Sequence, residues 1–236
     1  IDVDPFRNRE AGILIEDLVK KYEKPLISGA VVQDANGLSN SVLLWEPKDA
    51  KVIDSYEKNR LVPFGEYIPF RSLIGNYVNR FDLIPQDFIP GTRSNNLRVN
   101  NTLISPIICF EVAWNSSLIE QIKQGGQLIS VHTNNATYAF SDQLEQQFMI
   151  TRMRAMETGR DVVVTSTTGI SAHINRNGEV LWEHNGYNPE NVKEVPADEI
   201  STADVAIIPD GGGLLMKASK DDNRTSSVPY SLIPCD

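Results

Sequence analysis

The chain has 236 residues and a mass of 26.3 kDa, a length that fits a single domain with a tail. Its 22 basic and 31 acidic residues give a net charge of −9, which argues against a nucleic-acid backbone as partner, since that needs clustered Lys and Arg. No stretch approaches the roughly 20 continuous apolar residues that span a bilayer. The two cysteines, Cys109 and Cys235, are predicted to be free thiols.

The first half of the chain predicts one helix followed by strands. Residues 10–22 place apolar side chains, among them Leu14, at helical spacing, which predicts an amphipathic helix. Short β-rich runs follow at 26–32, 41–45 and 52–56, with a turn at Asn36-Gly37. Residues 58–101 contain four prolines and few periodic runs, so we predict a long irregular excursion of the functional or disordered kind.

The second half alternates apolar strands with helices. Strands are predicted at 103–110, 128–132, 162–165 and 203–208, helices at 116–124 and 143–159, and a hairpin at 170–182. Strands that are apolar on both faces predict a sheet covered by helices on one side. The methionines of the long helix, Met149, Met153 and Met156, are predicted to fill the core. Residues 210–236 are predicted to form a flexible tail, and the domain to span 1–209.

Four polar or reactive residues stand in suggestive places. Cys109 lies at the end of an apolar strand, where α/β sheets present side chains to a crevice, and Glu111, two residues further along the strand, is expected to point to the same side. Glu66 lies on a loop restricted by prolines, which suits a carboxylate that must be aimed. Without this context, Cys109 would be expected to be a small buried apolar residue, and Lys58 an exposed charged one.

Six segments, taken in order, resemble the nitrilase-type carbon–nitrogen hydrolase domain of apolipoprotein N-acyltransferases. They are 56–61, 61–69, 87–91, 107–111, 133–135 and 152–160. The run Leu-Val-Pro-Phe-Gly-Glu-Tyr-Ile-Pro at 61–69 is the most specific, because ordinary soluble nitrilases do not usually carry it. The resemblance covers about residues 51–183. It implies an α/β fold, a nitrilase-like α-β-β-α sandwich, for the domain at 1–209.

The resemblance also implies a mechanism. Cys109 would be the nucleophile and Lys58 the cation that stabilises the oxyanion, with Glu66 and Glu111 in support. Substrate contacts are predicted at Phe110, Tyr67 and Asn134. The thiolate would take an acyl chain from a phospholipid as a thioester, and the N-terminal amine of a diacylglyceryl lipoprotein would collect it. No metal or organic cofactor is implied.

The family's general-base Glu lies in a Trp-Pro-Glu segment upstream of the first helix, and this chain contains no Trp-Pro-Glu. We therefore expect the sequence to begin just downstream of it, as an N-terminally truncated domain. General-base help contributes about 10²–10⁴-fold, so residues 1–236 alone are expected to turn over slowly or not at all. The resemblance implies the extracytoplasmic face of a bacterial cell membrane, reached through segments absent from this sequence.

Several alternatives stay open at this point. The chain could be a soluble nitrilase-type amidase acting on a small amide, or a non-catalytic remnant of the same fold. Lipid contact and ordinary packing are equally supported for the apolar side chains of the excursion, namely Phe64, Tyr67, Ile68, Phe70, Leu73 and Ile74. His132, which ends a predicted buried strand, is more typical of a satisfied core histidine than of a ligand.

Overall fold

Two β-sheets and three α-helices make up the described part of the chain. The computed structural model describes residues 3–71, 86–136, 141–167, 169–185 and 206–207. The helices are α1 (Arg9–Tyr22), α2 (Asn115–Lys123) and α3 (Gln143–Thr158). The strands are β1 (Leu26–Gln33), β2 (Leu38–Glu46), β3 (Lys51–Glu57), β4 (Leu97–Val99), β5 (Thr102–Ile108), β6 (Leu128–Thr133), β7 (Asp161–Ser166), β8 (Ile170–Ile174), β9 (Val180–Asn185) and β10 (Ala206–Ile207).

The first sheet has the order β10-β1-β2-β3, and the second runs in chain order from β4 to β9. In the first sheet β1, β2 and β3 are antiparallel, and β10 adds to β1 in parallel. In the second sheet β5, β6 and β7 are parallel, whereas the strands outside them pair antiparallel. Parallel strands covered on both faces are buried on both faces, which explains why most residues of β5 and β6 are buried.

Three apolar layers hold the sheets and helices together. The middle layer lies between the sheets and joins Ile27, Val42, Leu44 and Tyr56 to Leu97, Ile104, Ile108 and Val163. Alternate residues of the same strands face outward: Leu43 and Trp45 pack with Ile15 and Val19 of α1. On the other side Ile107, Ile129 and Val164 pack with Leu118 of α2 and with Phe148 and Ala155 of α3. The layer order is therefore α-β-β-α, as the resemblance implied.

Two predicted features of the region before β6 differ in the structure. The excursion at 58–101 contains β4, whose three residues pair antiparallel with β5 and are too few to show a period. The strand predicted to reach Phe110 ends at Ile108, and residues Cys109–Ala113 form a 3-10 turn. Residues 72–85 and the predicted tail at 210–236 lie outside the described residues. None of the helices within the described residues has both the length and the apolarity to cross a bilayer.

The burial of two helix faces also corrects the sequence-based prediction. Leu14 is 60% exposed, because Ile15 and Val19 form the face of α1 that meets the sheet. The prediction that Met149, Met153 and Met156 fill the core is wrong, since all three are at least half exposed. The inner face of α3 consists instead of Gln147, Phe148, Thr151 and Ala155. Because Gln147 and Thr151 are polar, the hydrophobic pattern of this helix does not predict which of its faces is buried.

Neighbouring positions of α1 give a direct test of this packing. Ile15→Ala removes buried methylene groups and is expected to lower the free energy of unfolding by about 2–4 kcal/mol. Leu14→Ala changes an exposed side chain, so its effect should stay within about 0.5 kcal/mol. Urea denaturation followed by circular dichroism measures both. Equal losses for the two variants would contradict the observed orientation of α1.

Candidate active site

Cys109 is the first residue after β5 and opens the 3-10 turn. Its φ of 52° lies in the left-handed region, which is costly for a residue with a β-carbon and is found preferentially at functional sites. The side chain is partly buried and packs against the layer between the sheets. Its Sγ lies 3.9 Å from Asn135 Oδ1 and 3.9 Å from Gln147 Oε1. The turn thus presents the sulfur where β5 ends.

Glu111 is not part of an extended strand, as the sequence predicted, because the chain turns at Cys109. Its side chain folds back and is fully buried. The carboxylate accepts four hydrogen bonds, from Tyr56 Oη at 2.9 Å, Asn59 N at 2.9 Å, Arg60 N at 3.2 Å and Ile108 N at 3.3 Å. One buried anion therefore joins the end of β5 to the segment that follows Lys58.

The charge of Glu111 is set by opposing effects. Burial raises the pKa of its carboxyl, while the Tyr56 hydroxyl, the backbone donors and the positive charge of Lys58 counteract that rise. Burial, and then the charge of Glu111, raise the pKa of the Tyr56 phenol, so this hydroxyl stays neutral and donates a hydrogen bond to Glu111. The ring of Tyr56 belongs to the layer between the sheets, which fixes the position of the hydroxyl.

Lys58 directly follows β3 and is buried, with only 1% of its side chain exposed. Its Nζ lies 2.7 Å from Glu66 Oε1, and a buried ammonium needs such a partner. Glu66 is aimed by two further donors, since Asn40 Nδ2 donates to Oε1 and Val62 N donates to Oε2 at 2.7 Å. The backbone of Lys58 is held by Asn40 O at 2.9 Å and by Gly91 N at 2.8 Å. Lys58 is therefore held at its ammonium by Glu66 and at its backbone by Asn40 and Gly91.

The ammonium of Lys58 retains hydrogen-bonding capacity. A lysine carries three N–H donors, and within the described residues only Glu66 accepts one of them. Two donors are therefore available to a substrate oxygen or to a further carboxylate. This is the arrangement needed to stabilise negative charge that develops on a carbonyl oxygen.

Sequence reasoning overlooked three residues at this site. Asn40 lies inside a short β-rich run, where nothing in the local pattern distinguishes it. Gln147 lies within the helix predicted at 143–159, where nothing in the pattern distinguishes it from the other polar residues. The third is Asn135, which is 4% exposed and approaches the sulfur, whereas the side chain of the predicted Asn134 accepts a hydrogen bond from Ala136 N at 3.0 Å. Only Asn135 carried a signal, because it falls in a segment that resembles the family.

The other predicted substrate contacts lie near the surface. Phe110 is 42% exposed and packs edge-to-face on Trp114, with ring centroids 5.3 Å apart. Tyr67 is half-buried, and its carbonyl accepts a hydrogen bond from Phe64 N at 2.8 Å. A role of Phe110, Tyr67 or Asn134 in binding substrate stays a prediction.

The apolar side chains of the segment after Lys58 divide into two groups. Ile68 is buried, so ordinary packing accounts for it. Phe64 and Phe70 are 63% and 76% exposed, and both have a positive φ. Leu73 and Ile74 lie outside the described residues. Packing therefore explains only part of this apolar content.

His132 is a core residue. Its Nε2 lies 2.7 Å from Ser130 Oγ, and its ring faces Gly29 of the opposite sheet. Burial lowers the pKa of this imidazole to about 3, so it is neutral at ordinary pH. In the part of the chain that the structure describes, no three His, Cys, Asp or Glu side chains are grouped so that they could hold a metal ion.

Comparison with known proteins supports the same fold and family. The sequence model of the carbon-nitrogen hydrolase family matches residues 10–206. The apolipoprotein N-acyltransferase of Mycolicibacterium smegmatis is 31% identical over 198 residues, which cover 80% of this chain and 32% of that protein. The apolipoprotein N-acyltransferase of Synechocystis sp. is 34% identical over 164 residues, which cover 70% and 31% respectively.

Solved structures add evidence for the fold alone. A carbon-nitrogen hydrolase from Helicobacter pylori G27 aligns with a TM-score of 0.55 at 16% identity, covering 75% of this chain and 63% of that one. An amidase from Nesterenkonia sp. aligns with a TM-score of 0.57 at 18% identity, covering 78% and 65%. The chain spans about a third of the length of the curated relatives that it matches. The family match over most of the chain, the four-layer sandwich and the relatives together lead to one conclusion: this chain belongs to the carbon–nitrogen hydrolase family.

Proposed function

We propose that this chain is the catalytic domain of an apolipoprotein N-acyltransferase. In this proposal Cys109 takes a fatty acyl chain from a phospholipid and passes it to the N-terminal amine of a diacylglyceryl lipoprotein. The named relatives support the choice of reaction. The observation that carries the proposal is the buried Lys58–Glu66 pair, which the Glu111 carboxylate ties to the turn that bears Cys109.

The residues would divide the first half-reaction as follows. The Cys109 thiolate attacks the ester carbonyl carbon, forming a C–S bond and moving an electron pair onto the carbonyl oxygen. The free N–H donors of Lys58 stabilise that oxyanion. When the oxyanion collapses, the ester C–O bond breaks, and the lysophospholipid leaves as an alkoxide that takes up the proton which the Cys109 thiol gave to the general base. A thioester on Cys109 remains.

The second half-reaction uses the same groups. The lipoprotein amine attacks the thioester carbonyl, so a C–N bond forms and charge again develops next to Lys58. Collapse of this intermediate breaks the C–S bond and regenerates the thiolate, while a base takes the proton of the amine. Phe110 and Tyr67 would contact the substrates, and the exposed rings of Phe64 and Phe70 suit contact with acyl chains.

Both substrates are membrane lipids or lipid-anchored, so the proposal includes a bacterial cell membrane, and the family resemblance implies its extracytoplasmic face. Residues 1–236 alone are proposed to transfer acyl chains slowly. In this proposal Glu66, which accepts hydrogen bonds from Lys58, Asn40 and Val62, holds the lysine and does not take the thiol proton. A separate carboxylate would have to serve as general base.

Acyl transfer from a labelled phospholipid tests the roles of Cys109 and Lys58. Full-length protein in phospholipid vesicles whose donor carries an alkyne-tagged acyl chain should form an adduct on Cys109 that neutral hydroxylamine releases. Lys58→Met should slow its formation by about 10²–10³-fold, because the oxyanion loses its charged donor. The adduct is located by mass spectrometry of the Cys109 peptide.

Lys51→Met is the matched control, because Lys51 is exposed at the start of β3 and should leave the rate unchanged. An adduct that forms at the normal rate in Lys58→Met, or that resides on another residue, would contradict the proposal. Ammonia release from small amides without any lipid adduct would instead support the soluble amidase. Failure of both reactions in the full-length protein would support a non-catalytic remnant.

The hydrogen bonds of the buried Glu111 carboxylate predict that a substitution at Tyr56 lowers the stability of the domain. Tyr56→Phe removes the hydroxyl that donates to Glu111 and should lower the free energy of unfolding by about 1.5–3 kcal/mol, as for hydrogen bonds to charged groups. Urea denaturation measures the loss. Tyr22→Phe, at the end of α1, is the control and should change stability by less than about 0.5 kcal/mol. Equal stability of the two variants would mean that the Tyr56 bond contributes nothing.

A further inference from the structure

One arginine of α3 holds the 3-10 turn that carries Cys109. Its guanidinium donates to the last two carbonyls of the turn: Arg154 Nε lies 2.8 Å from the carbonyl oxygen of Val112, and Nη2 lies 2.9 Å from that of Ala113. Carbonyls at the end of a helical turn find no partner inside it, so they need one from elsewhere. Two bonds from one rigid, planar group fix both the distance and the orientation of the turn relative to α3.

Arg154 is itself held in place by Glu157, three residues further along α3. Nη1 of Arg154 donates to Oε2 of Glu157, and only 14% of the arginine side chain is exposed. The hydrogen bond from Arg154 lowers the pKa of the Glu157 carboxyl, which is therefore charged at neutral pH. Its other oxygen, Oε1, accepts a hydrogen bond at 3.2 Å from Nδ2 of Asn115, the first residue of α2. A continuous set of polar contacts thus joins α3, the turn and the start of α2.

The turn needs such support because its first residue is strained. Cys109 has a φ of 52°, in the left-handed region that a residue with a β-carbon rarely adopts. Strain of this kind persists only where the surroundings leave the backbone no alternative. Before Cys109, the N–H of Ile108 donates to the Glu111 carboxylate at 3.3 Å; after it, Arg154 binds the end of the turn. The strained residue therefore lies between two anchors, one on each side of it in the chain.

We propose that Arg154 is a positioning residue, which keeps the Cys109 turn in the conformation that presents Sγ to a substrate carbonyl. Without the guanidinium, the end of the turn is free to move, and the φ of Cys109 can relax toward more ordinary values. A displacement of about 1 Å is enough to slow a reaction by about 100-fold. Arg154 acts through the backbone of the turn, whereas Lys58 acts on the oxyanion. The inference rests on the proposed function in taking Cys109 as the nucleophile.

Two substitutions separate the two-bond geometry of the guanidinium from its charge. Arg154→Met removes both, and Arg154→Lys keeps the positive charge but cannot bond both carbonyls in the same way. In full-length protein assayed in vesicles with a labelled phospholipid donor and a diacylglyceryl peptide acceptor, kcat should fall by about 10- to 100-fold in both variants. KM for the donor should stay within about twofold, because the contact with the turn contributes to the transition state and not to lipid binding.

Arg152→Met and Arg152→Lys are the matched controls. Arg152 lies on the same helix and also donates to a backbone carbonyl, from Nε to the oxygen of Gly178 at 2.9 Å, but this carbonyl belongs to the connection between β8 and β9. Both controls should keep kcat within about twofold of the unsubstituted protein, because they leave the Cys109 turn untouched.

Amide hydrogen exchange measures the turn without any reaction. The N–H of Trp114 donates to the carbonyl of Glu111 at 3.0 Å and closes the turn. In peptides that span 107–116, Arg154→Met should exchange about tenfold faster than the unsubstituted protein, and Arg152→Met should exchange at the unsubstituted rate. Circular dichroism checks that each variant is folded.

The inference is overturned if Arg154→Met keeps the unsubstituted kcat, if its exchange at 107–116 is unchanged, or if the Arg152 controls lose as much activity. Should the Arg154 variants fail to fold, Glu157→Gln replaces them. It weakens the hold on the guanidinium and should lower kcat about threefold, and an unchanged kcat would equally overturn the inference.

Hydrogen exchange needs no acyl donor, so the two proposals can fail separately. A full-length protein that forms no lipid adduct, but whose turn exchanges faster in Arg154→Met, would reject the acyltransferase and retain the anchoring of the turn by Arg154. A protein that forms the adduct normally, with rate and exchange unchanged in Arg154→Met, would retain the acyltransferase and overturn the inference.

Discussion

The buried carboxylate of Glu111 is the interaction on which the rest of the site depends. It receives donors from β3, from the two residues after Lys58 and from the end of β5, so one anion connects the two sheets at the edge where the reactive groups lie. An unpaired charge could not be tolerated at such depth. The four donors and the nearby ammonium of Lys58 together stabilise the buried carboxylate.

The sandwich explains why these groups meet. Lys58 follows a strand of the first sheet and Cys109 follows a strand of the second, and the apolar layer between the sheets brings the two strand ends together. Tyr56 links that layer to the site, because its ring packs in the layer while its hydroxyl bonds to Glu111. Because both strands are packed in the sandwich, Lys58 and Cys109 are positioned more precisely than loops alone would position them.

Much of the fold followed from pattern alone, because parallel strands and α1 have clear hydrophobic periods. The 3-10 turn at Cys109 did not, since an apolar strand gives no local sign of where it stops. The exposed methionines of α3 were misjudged because its inner face uses Gln147 and Thr151, and polar burial leaves no periodic signal. The Lys58–Glu66 pair came from family resemblance, whereas Asn40 and Gln147 required three-dimensional contacts to be noticed.

The near-complete burial of Lys58 has a consequence for how the domain matures. A desolvated ammonium is unfavourable until Glu66 arrives, so the loop at 61–69 must dock before the cation can settle in place. A nascent chain whose loop is still undocked would have neither a shielded cation nor an organised centre around its thiol. The organised surroundings of the thiol therefore exist only in chains whose loop at 61–69 has docked.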